Sequence, residues 1–299
     1  MTAQTTQQMA TDLARAKVNL ALHITGRRGD GYHLLDSLVV FPNIGDQLKA
    51  CPSEALSLEI DGPFATPLAS GGSDNLVTTA IRKWADAAGI SAPPLKIHLT
   101  KNLPVASGIG GGSADAAAAL RLAQRLGGTQ LPRAQLQALA LDLGADVPVC
   151  LMQEPTRMEG IGERLSPLPS LPEFGMVLVN PGVAVSTPAI FKGLDARDNP
   201  PLPPLPDYYA NLDDLIAYLQ TTRNDMQATA ERLCPQITSV LDALGAAPGS
   251  KFTRMSGSGA TCFALCNSGA EEALARSIQK SHPDWWVASS AVSGQFRAS

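Results

Sequence analysis

The sequence has few aromatic residues, no block of positive charge and no long apolar run. Phe, Trp and Tyr make up 5% of its 299 residues, so aliphatic side chains must form most of the core. The formal net charge is −4, and no stretch concentrates Lys and Arg, which argues against a nucleic-acid partner. No apolar run reaches about eighteen residues, so we expect no transmembrane helix and no membrane partner.

Cysteine is also scarce, and its positions match no paired or metal-binding pattern. The five cysteines are Cys51, Cys150, Cys234, Cys262 and Cys266. An odd, scattered set is most simply explained by reduced thiols, which predicts a cytoplasmic protein. Cys262 and Cys266 have the wrong spacing for a zinc knuckle, so we expect no metal site there.

The length, about twice that of a typical domain, predicts two domains. Proline and glycine concentrate between residues 155 and 172, which places the predicted boundary near residue 160. Residues 1–12 are polar and lack the charged start and apolar middle of a signal peptide, so we expect a disordered tail there. The predicted domains are therefore residues 13–160 and residues 161–299.

A glycine-rich segment between a strand and a helix is the strongest functional signal. Four of the five residues from 108 to 112 are glycine, which leaves no side chain to bury and makes the segment unfavourable to order. Residues 95–99 alternate like a strand, and residues 114–126 favour a helix. This order offers free N–H groups and a positive helix end to an anion. A flexible linker is the alternative, but linkers usually contain more Ser and are rarely joined to a capped helix.

Two well-known phosphate loops do not fit this segment. It lacks the Gly-Lys-Ser/Thr ending of the Walker loop, and it lacks the third glycine of the dinucleotide-binding fingerprint. A second glycine-rich segment, residues 256–261, follows a predicted strand and could form either an anion-binding nest or a plain tight turn before a helix. Together the two segments indicate phosphate binding of another kind.

Polar residues recur at positions that could carry chemistry. Residues 15–25 alternate as one strand, with Lys17 and Asn19 on the same face, although the pattern alone favours an ordinary solvated face. Tyr32 and His33 end a turn-rich loop, where surface rings at a hairpin tip are the alternative. Asp146 interrupts an apolar helix, and N-capping of the next helix is its simplest role.

Local helix signals are clear elsewhere. Residues 73–75 offer capping side chains before a helix over residues 76–88, whose apolar stripe places Trp84 in the core. Residues 223–226 are expected to open one long helix. Phe191 could anchor a helix to the core.

The segment Pro104 to Ser113, followed by an alanine-rich helix, resembles the nucleotide loop of the GHMP kinases (galactokinase, homoserine kinase, mevalonate kinase and relatives). Residues 16–35 contain Ala-Lys-Val-Asn-Leu and then Gly-Arg-Arg-Gly-Asp-Gly-Tyr-His. They are similar to the branch that phosphorylates the 2-hydroxyl of 4-diphosphocytidyl-2-C-methyl-D-erythritol, in the non-mevalonate route to isoprenoid precursors. Residues 256–261 match the third motif of the family, and the resemblance extends from about residue 14 to residue 295.

The resemblance implies an α+β fold with the two GHMP kinase domains. The N-terminal domain would resemble domain 2 of ribosomal protein S5 and bind ATP, and the C-terminal domain would be ferredoxin-like and close over the substrate. It also implies ATP with Mg²⁺, small-molecule substrates, and a monomer or weak homodimer. Rival functions are another GHMP kinase, such as homoserine kinase, and a non-catalytic ATP sensor. The presence of Lys17 and Asp146 speaks against a sensor.

The resemblance also assigns roles to individual residues. Asp146 would be the catalytic base, and Lys17 would keep it ionised and neutralise the transferring phosphoryl group. Asn19 would orient the lysine or the substrate. Tyr32 and Phe191 would enclose the cytosine, and His33 would bind its hydrogen-bonding edge.

The first glycine segment would bind the phosphates, and the second would lie against the first and against the substrate. The expected ATP-binding residues are Pro104, Val105, Ala106, Ser107, Gly108, Ile109, Gly110, Gly111, Gly112, Ser113 and Ala114. The second segment contributes Gly257, Ser258 and Gly259. Ser113 is the candidate metal ligand, the other ligands being unassigned. Asp115 is expected to turn away from the phosphates and to cap first-turn amides.

Overall fold

The structure is a computed structural model that describes residues 9–66 and 75–293. Within these residues the strands are β1 (Ala10–Arg15), β2 (Val18–Arg27), β3 (His33–Val40), β4 (Gly45–Pro52), β5 (Ser57–Asp61), β6 (Leu95–Thr100), β7 (Thr156–Gly160), β8 (Arg164–Pro167), β9 (Phe174–Asn180), β10 (Phe252–Met255), β11 (Cys262–Cys266) and β12 (Trp286–Val292). The helices are α1 (Leu76–Ala88), α2 (Gly111–Leu126), α3 (Arg133–Leu143), α4 (Val147–Met152), α5 (Thr187–Lys192), α6 (Leu212–Gln220), α7 (Gln227–Leu233), α8 (Gln236–Ala246) and α9 (Glu271–Ser281). This mixture confirms the predicted α+β class.

The chain forms two compact units that alternate along the sequence. Among the described residues, the first unit contains residues 9–15, 45–66, 75–105 and 111–152, and the second contains residues 16–44, 106–110 and 153–293. The sequence predicts a single boundary near residue 160. The observed division differs because β2 pairs with β3, and β3 pairs with β7, which follows the last segment of the first unit in the sequence.

The first unit is built on a four-stranded sheet in the order β1-β4-β6-β5, in which only β5 and β6 run parallel. Helix α1 has the predicted bounds: the Asn75 side chain accepts from the Val77 N–H at 2.9 Å, and Gly89 ends the helix with φ of 69°. Trp84 is fully buried, as predicted. The other two predicted caps, residues 73 and 74, lie outside the described residues.

The N-terminal strand corrects the predicted tail. Residues 1–8 lie outside the described part of the chain, but residues 10–12 belong to β1 and pair with β4. Asp12 is nearly buried and bonds to Arg121 and Arg125 of α2. The polar composition of residues 1–12 predicts disorder. The prediction is wrong for residue 12 because two arginines more than a hundred residues away in the sequence hold its carboxylate.

The second unit contains two four-stranded antiparallel sheets, ordered β2-β3-β7-β8 and β10-β11-β9-β12. The predicted strand over residues 15–25 is two strands in different sheets, because the chain leaves β1 at Arg15 and enters β2 at Val18. Helices α8 and α9 cover the second sheet with the apolar residues Ile237, Val240, Leu244, Leu274 and Ile278.

Two further expectations for this unit are wrong in detail. The predicted long helix after Met226 is two helices, α7 and α8, because Pro235 cannot continue the first one. The second glycine segment joins the two antiparallel strands β10 and β11 rather than a strand and a helix.

The cysteines and the lengths of the helices can be compared directly with the sequence-based expectations. All five cysteines lie in described segments, and none of them forms a disulfide. Among residues 9–66 and 75–293, no helix has the length and apolar character that crossing a bilayer requires.

Candidate active site

The first glycine segment adopts an alternating backbone conformation between β6 and α2. The φ angle is positive at Ala106 (52°), Gly108 (76°) and Gly110 (65°), and it is not positive at the residues between them. Alternation of this kind turns successive N–H groups toward one side and forms an anion-binding nest. Helix α2 begins at Gly111, three residues before the predicted start, so the remaining glycines form its first turn.

The hydrogen bonds of this loop leave its donors open. The carbonyls of Ser107, Gly108 and Ile109 accept from the Thr261 N–H at 3.1 Å, from Ser256 Oγ at 3.1 Å and from the Lys17 N–H at 2.9 Å, respectively. In the described part of this unit, the N–H groups of residues 108–110 donate to no acceptor. Ile109 is buried, Gly108 and Gly110 are half-buried, and backbone donors that are shielded from water are almost always paired. The open donors therefore indicate a place for an anionic ligand.

The two glycine segments touch through their backbones, which explains two of the glycines. A Cβ on Gly108 would lie 2.6 Å from the backbone N of Gly259, and a Cβ on Gly257 would lie 2.5 Å from the Gly108 carbonyl oxygen. Both distances are shorter than any side chain allows. The predicted contact between the second segment and the phosphate loop is thus present within this unit.

Replacing Gly108 with Ala should raise the KM for ATP by about tenfold or more, because the new Cβ separates the two segments and distorts the nest. Gly128→Ala is the matched control. Its φ is also positive (72°), but no atom lies within 4 Å of the new Cβ. Steady-state kinetics with ATP varied should therefore show a change in the first variant alone. Equal KM values in the two variants would contradict the role of the close approach.

Asn224 holds the second segment, and sequence reasoning did not identify it as a site residue. The Asn224 Nδ2 donates to the Met255 and Gly257 carbonyls at 2.8 and 2.9 Å. Ser258 contacts Thr187 of α5 through their hydroxyl oxygens, 2.7 Å apart. The only sequence signal for Asn224 is the Asn-Asp pair at residues 224–225, which by itself predicts a helix cap.

Lys17 and Asn19 are buried, so the solvated-face interpretation is wrong. Lys17 is 5% exposed and Asn19 is 1% exposed. The Asn19 Nδ2 donates to Ser37 Oγ at 2.8 Å, while its Oδ1 is buried without a partner among the described residues. A buried acceptor with no partner is unfavourable by about 1–3 kcal/mol, so this oxygen is well suited to accept a hydrogen bond from a ligand.

Two aromatic rings of this unit are stacked on each other. Phe191 lies on His33, with ring centroids 4.3 Å apart and an interplanar angle of 15°. Tyr32 is 58% exposed. The His33 Nε2 is buried and has no partner in the described segments. Burial, with Arg27 and Arg197 nearby, lowers the pKa of His33, so its ring is neutral at pH 7 and offers one donor and one acceptor.

In the first unit, a buried ion-pair cluster lies beside the start of α2. Lys101 Nζ donates to Asp115 Oδ2 at 2.7 Å and to Asp46 Oδ2, and Asp46 Oδ1 accepts from the N–H groups of residues 102 and 103. Asp115 therefore binds a lysine instead of capping first-turn amides, which corrects the prediction. Burial is the main reason why the pKa of Asp115 rises to about 7.

Asp146 immediately precedes α4, and its carbonyl accepts from the Cys150 N–H at 3.2 Å. Pro148 lies in the first turn of α4, where proline is favoured, and this agrees with Asp146 standing at the N-cap position. Asp146 belongs to the first unit and Lys17 to the second, so their cooperation remains a prediction. The expected ATP-binding residues are divided in the same way: residues 104–105 and 111–114 belong to the first unit and residues 106–110 to the second.

The described residues contain no group of three or more His, Cys, Asp and Glu side chains that could hold a metal ion. Mg²⁺ bound together with a nucleotide usually keeps several waters and takes only one or two protein ligands beside the phosphates. Ser113 is half-buried in the first turn of α2.

The comparisons with known proteins agree with this architecture. The description "GHMP kinases N terminal domain" matches residues 75–154, and "GHMP kinases C terminal" matches residues 209–284. The chain belongs to the GHMP kinase family, whose members are ATP-dependent phosphotransferases. The family and the fold that the resemblance implies are thereby confirmed.

Named relatives and solved structures show which members of the family are similar to this chain in sequence and which only in fold. A Cereibacter sphaeroides protein named 4-diphosphocytidyl-2-C-methyl-D-erythritol kinase is 51% identical over 288 residues, which cover 96% of this chain and 100% of the relative. A Rhizobium etli protein of the same name is 49% identical over 95% of both chains. The crystal structure of 4-(cytidine 5'-diphospho)-2C-methyl-D-erythritol kinase matches with a TM-score of 0.77 at 32% identity, covering 96% of this chain and 100% of the other. Homoserine kinase from Cytophaga hutchinsonii, at 19% identity and a TM-score of 0.66 over 99% of this chain and 98% of the other, shares the fold alone.

Proposed function

We propose that this protein transfers the γ-phosphoryl group of ATP to the 2-hydroxyl of 4-diphosphocytidyl-2-C-methyl-D-erythritol. ADP and the 2-phosphate are the products, and the reaction belongs to the non-mevalonate route to isoprenoid precursors. The observation that carries the phosphoryl-transfer part is the loop at residues 106–110, whose carbonyls are bonded and whose amides at residues 108–110 are open. The relatives' names support the choice of acceptor.

The loop binds the ATP phosphates through backbone N–H groups. An amide nest that continues into a helix N-terminus supplies several donors and a positive dipole end to the same anion. These groups are held before ATP arrives, so little reorganisation accompanies phosphate binding.

Asp146 and Lys17 act on the acceptor and on the transferring group. The acceptor is a tertiary alcohol, a crowded nucleophile whose proton must leave as the new P–O bond forms. Asp146 takes that proton. The bond between the γ-phosphorus and the oxygen that bridges to the β-phosphate breaks, and its electron pair leaves with ADP. The Lys17 ammonium keeps Asp146 ionised and offsets charge on the phosphoryl oxygens. Asn19 orients the lysine or the substrate through its unpaired Oδ1.

The cytidine end of the acceptor is held by Tyr32, His33 and Phe191. The open face of Tyr32 stacks on the cytosine, and the His33 Nε2 gains the partner that it lacks. Phe191 backs the His33 ring and fixes its plane, which also agrees with its alternative role as an anchor for α5. Thr187 links the same short helix to the second glycine segment.

Mg²⁺ accompanies ATP and would be held by the phosphates, by waters and by the Ser113 hydroxyl. When bound, it neutralises phosphate charge. The chain's own contribution is to place the hydroxyl of Ser113 at the start of α2.

A direct assay tests the proposal. The purified protein is incubated with Mg²⁺, ATP and 4-diphosphocytidyl-2-C-methyl-D-erythritol, and the mixture is followed by phosphorus NMR. We expect ADP and a new phosphomonoester signal in equal amounts. Homoserine and mevalonate, tested in parallel, should give no product. Turnover of either of these compounds without turnover of the cytidine compound would overturn the assignment.

Tyr32→Ala should raise the KM for the cytidine substrate by about 5- to 150-fold, the equivalent of the 1–3 kcal/mol that base–aromatic stacking typically supplies. The KM for ATP should stay within about twofold. Tyr208→Ala is the matched control, since that tyrosine is also exposed, at 72%, but has no assigned contact. Steady-state kinetics with each substrate varied would measure both constants. Equal changes in the two KM values would contradict the stacking role.

A further inference from the structure

Arg121, a residue to which the sequence assigned no role, connects three elements of the first unit. It extends from α2, and its guanidinium forms a forked pair with Asp12 of β1: Nε lies 3.1 and 3.2 Å from the two carboxylate oxygens, and Nη2 lies 2.6 Å from Oδ1. Its remaining nitrogen, Nη1, donates to the carbonyls of Cys150 and Leu151 at 2.9 and 3.4 Å. These carbonyls belong to the C-terminal end of α4.

Helix α4 depends on such a contact. It has only six residues, and a helix this short is not stable by itself in water. The last carbonyls of any helix have no partner within the helix, and Arg121 supplies one for two of them. The guanidinium in turn is oriented by a nearly buried carboxylate, which restricts its motion.

A short path of bonds leads from Arg121 to Asp146. The carbonyl of Cys150 accepts from Arg121, and the N–H of the same residue donates to the Asp146 carbonyl at 3.2 Å. Moving the Arg121 end of α4 therefore moves the backbone from which the Asp146 side chain extends. A shift of about 1 Å in a reacting group can lower a rate by about a hundredfold.

We infer that Arg121, anchored by Asp12, is a positioning residue that sets the placement of the Asp146 carboxylate through α4. This inference rests on the proposed role of Asp146 as the base. Lysine could not replace Arg121, because one ammonium group cannot make the forked pair with Asp12 and also donate to two carbonyls from the same position.

The chain offers a matched control in Arg125. It lies one turn further along α2 and binds the same carboxylate, with Nη2 at 2.9 Å from Asp12 Oδ2, but its other partner is the Thr11 carbonyl rather than α4. Arg125→Lys therefore weakens the same ion-pair cluster without releasing α4. A purely structural role of the cluster would affect both variants alike.

The experiment compares kcat, both KM values and the melting temperature for Arg121→Lys, Arg125→Lys, Asp146→Asn and the double variant R121K/D146N. We expect kcat to fall at least about tenfold in Arg121→Lys, with the KM for ATP within about twofold, while Arg125→Lys stays near the wild type. In the double variant, kcat should equal that of Asp146→Asn alone, because a misplaced base that has already been removed has no further effect.

Several outcomes would overturn the inference. Wild-type kcat in Arg121→Lys would do so, as would an independent, multiplicative loss in the double variant. If Arg121→Lys does not fold, Asp12→Asn replaces it, with a fall in kcat expected and an unchanged kcat counting against the inference. Wild-type kcat in Asp146→Asn would instead remove the proposed base and the inference with it. A defective Asp146→Asn beside a fully active Arg121→Lys would remove the inference alone.

Discussion

Replacing Asp146 with Asn should lower kcat by about 10²- to 10⁴-fold and leave ATP binding intact. Asparagine has the same shape and can still occupy an N-cap position, so α4 should be preserved. It cannot accept the proton of the tertiary alcohol. The nucleotide loop does not include residue 146, so the affinity for ATP should change little.

Rapid-quench measurement of a single turnover, together with equilibrium binding of ATP, would separate these effects. Asp142→Asn is the matched control, because Asp142 is an exposed carboxylate four residues earlier whose partner is Lys83. It should turn over at the wild-type rate. An Asp146→Asn enzyme within about threefold of the wild type would show that another group removes the proton.

Lys17→Met should lower kcat/KM by about 10²- to 10³-fold, the loss usually seen when one group that stabilises transition-state charge is removed. Methionine matches the length and burial of the lysine stem, so the folded unit should tolerate it. The Lys17 backbone N–H, which bonds the Ile109 carbonyl at 2.9 Å, is unchanged by the substitution. The loss would therefore belong to the ammonium group.

Two companion variants sharpen this test. Lys49→Met removes an exposed lysine from β4 and should have no effect on turnover. Lys17→Arg keeps the charge but places a wide planar group at a position that is 5% exposed, so it should restore only part of the activity. Full activity of Lys17→Met in steady-state assays would contradict the assigned role.

Short-range features were predictable from the sequence. Helix α1, its Asn75 cap and its Gly89 end follow from capping chemistry and the left-handed preference of glycine, both of which involve a few neighbouring residues. The glycine segment at residues 104–113 was recognisable because an ordered run of glycines requires close backbone approach. The family and its fold followed from these motifs and are confirmed.

Features that depend on distant partners were not predictable in the same way. The sequence suggested that Asp115 would cap its own helix, but Lys101 binds it. The polar composition predicts a tail that includes residue 12, but two arginines hold this residue in β1. The solvated face that the pattern favours for Lys17 and Asn19 is wrong, because this part of the chain is buried as it enters and follows β2.

By itself, the sequence determined which segments form the nucleotide loop, which helix follows it and which family the chain belongs to. These properties depend on backbone preference and on the spacing of neighbouring residues, which are local. Only the tertiary structure decided that the loop carbonyls are bonded while the amides of residues 108–110 remain open, that His33 stacks on Phe191, and that Arg121 holds the end of α4. Which residue each of these groups contacts depends on which distant strands and helices pack together, and local sequence patterns do not determine that packing.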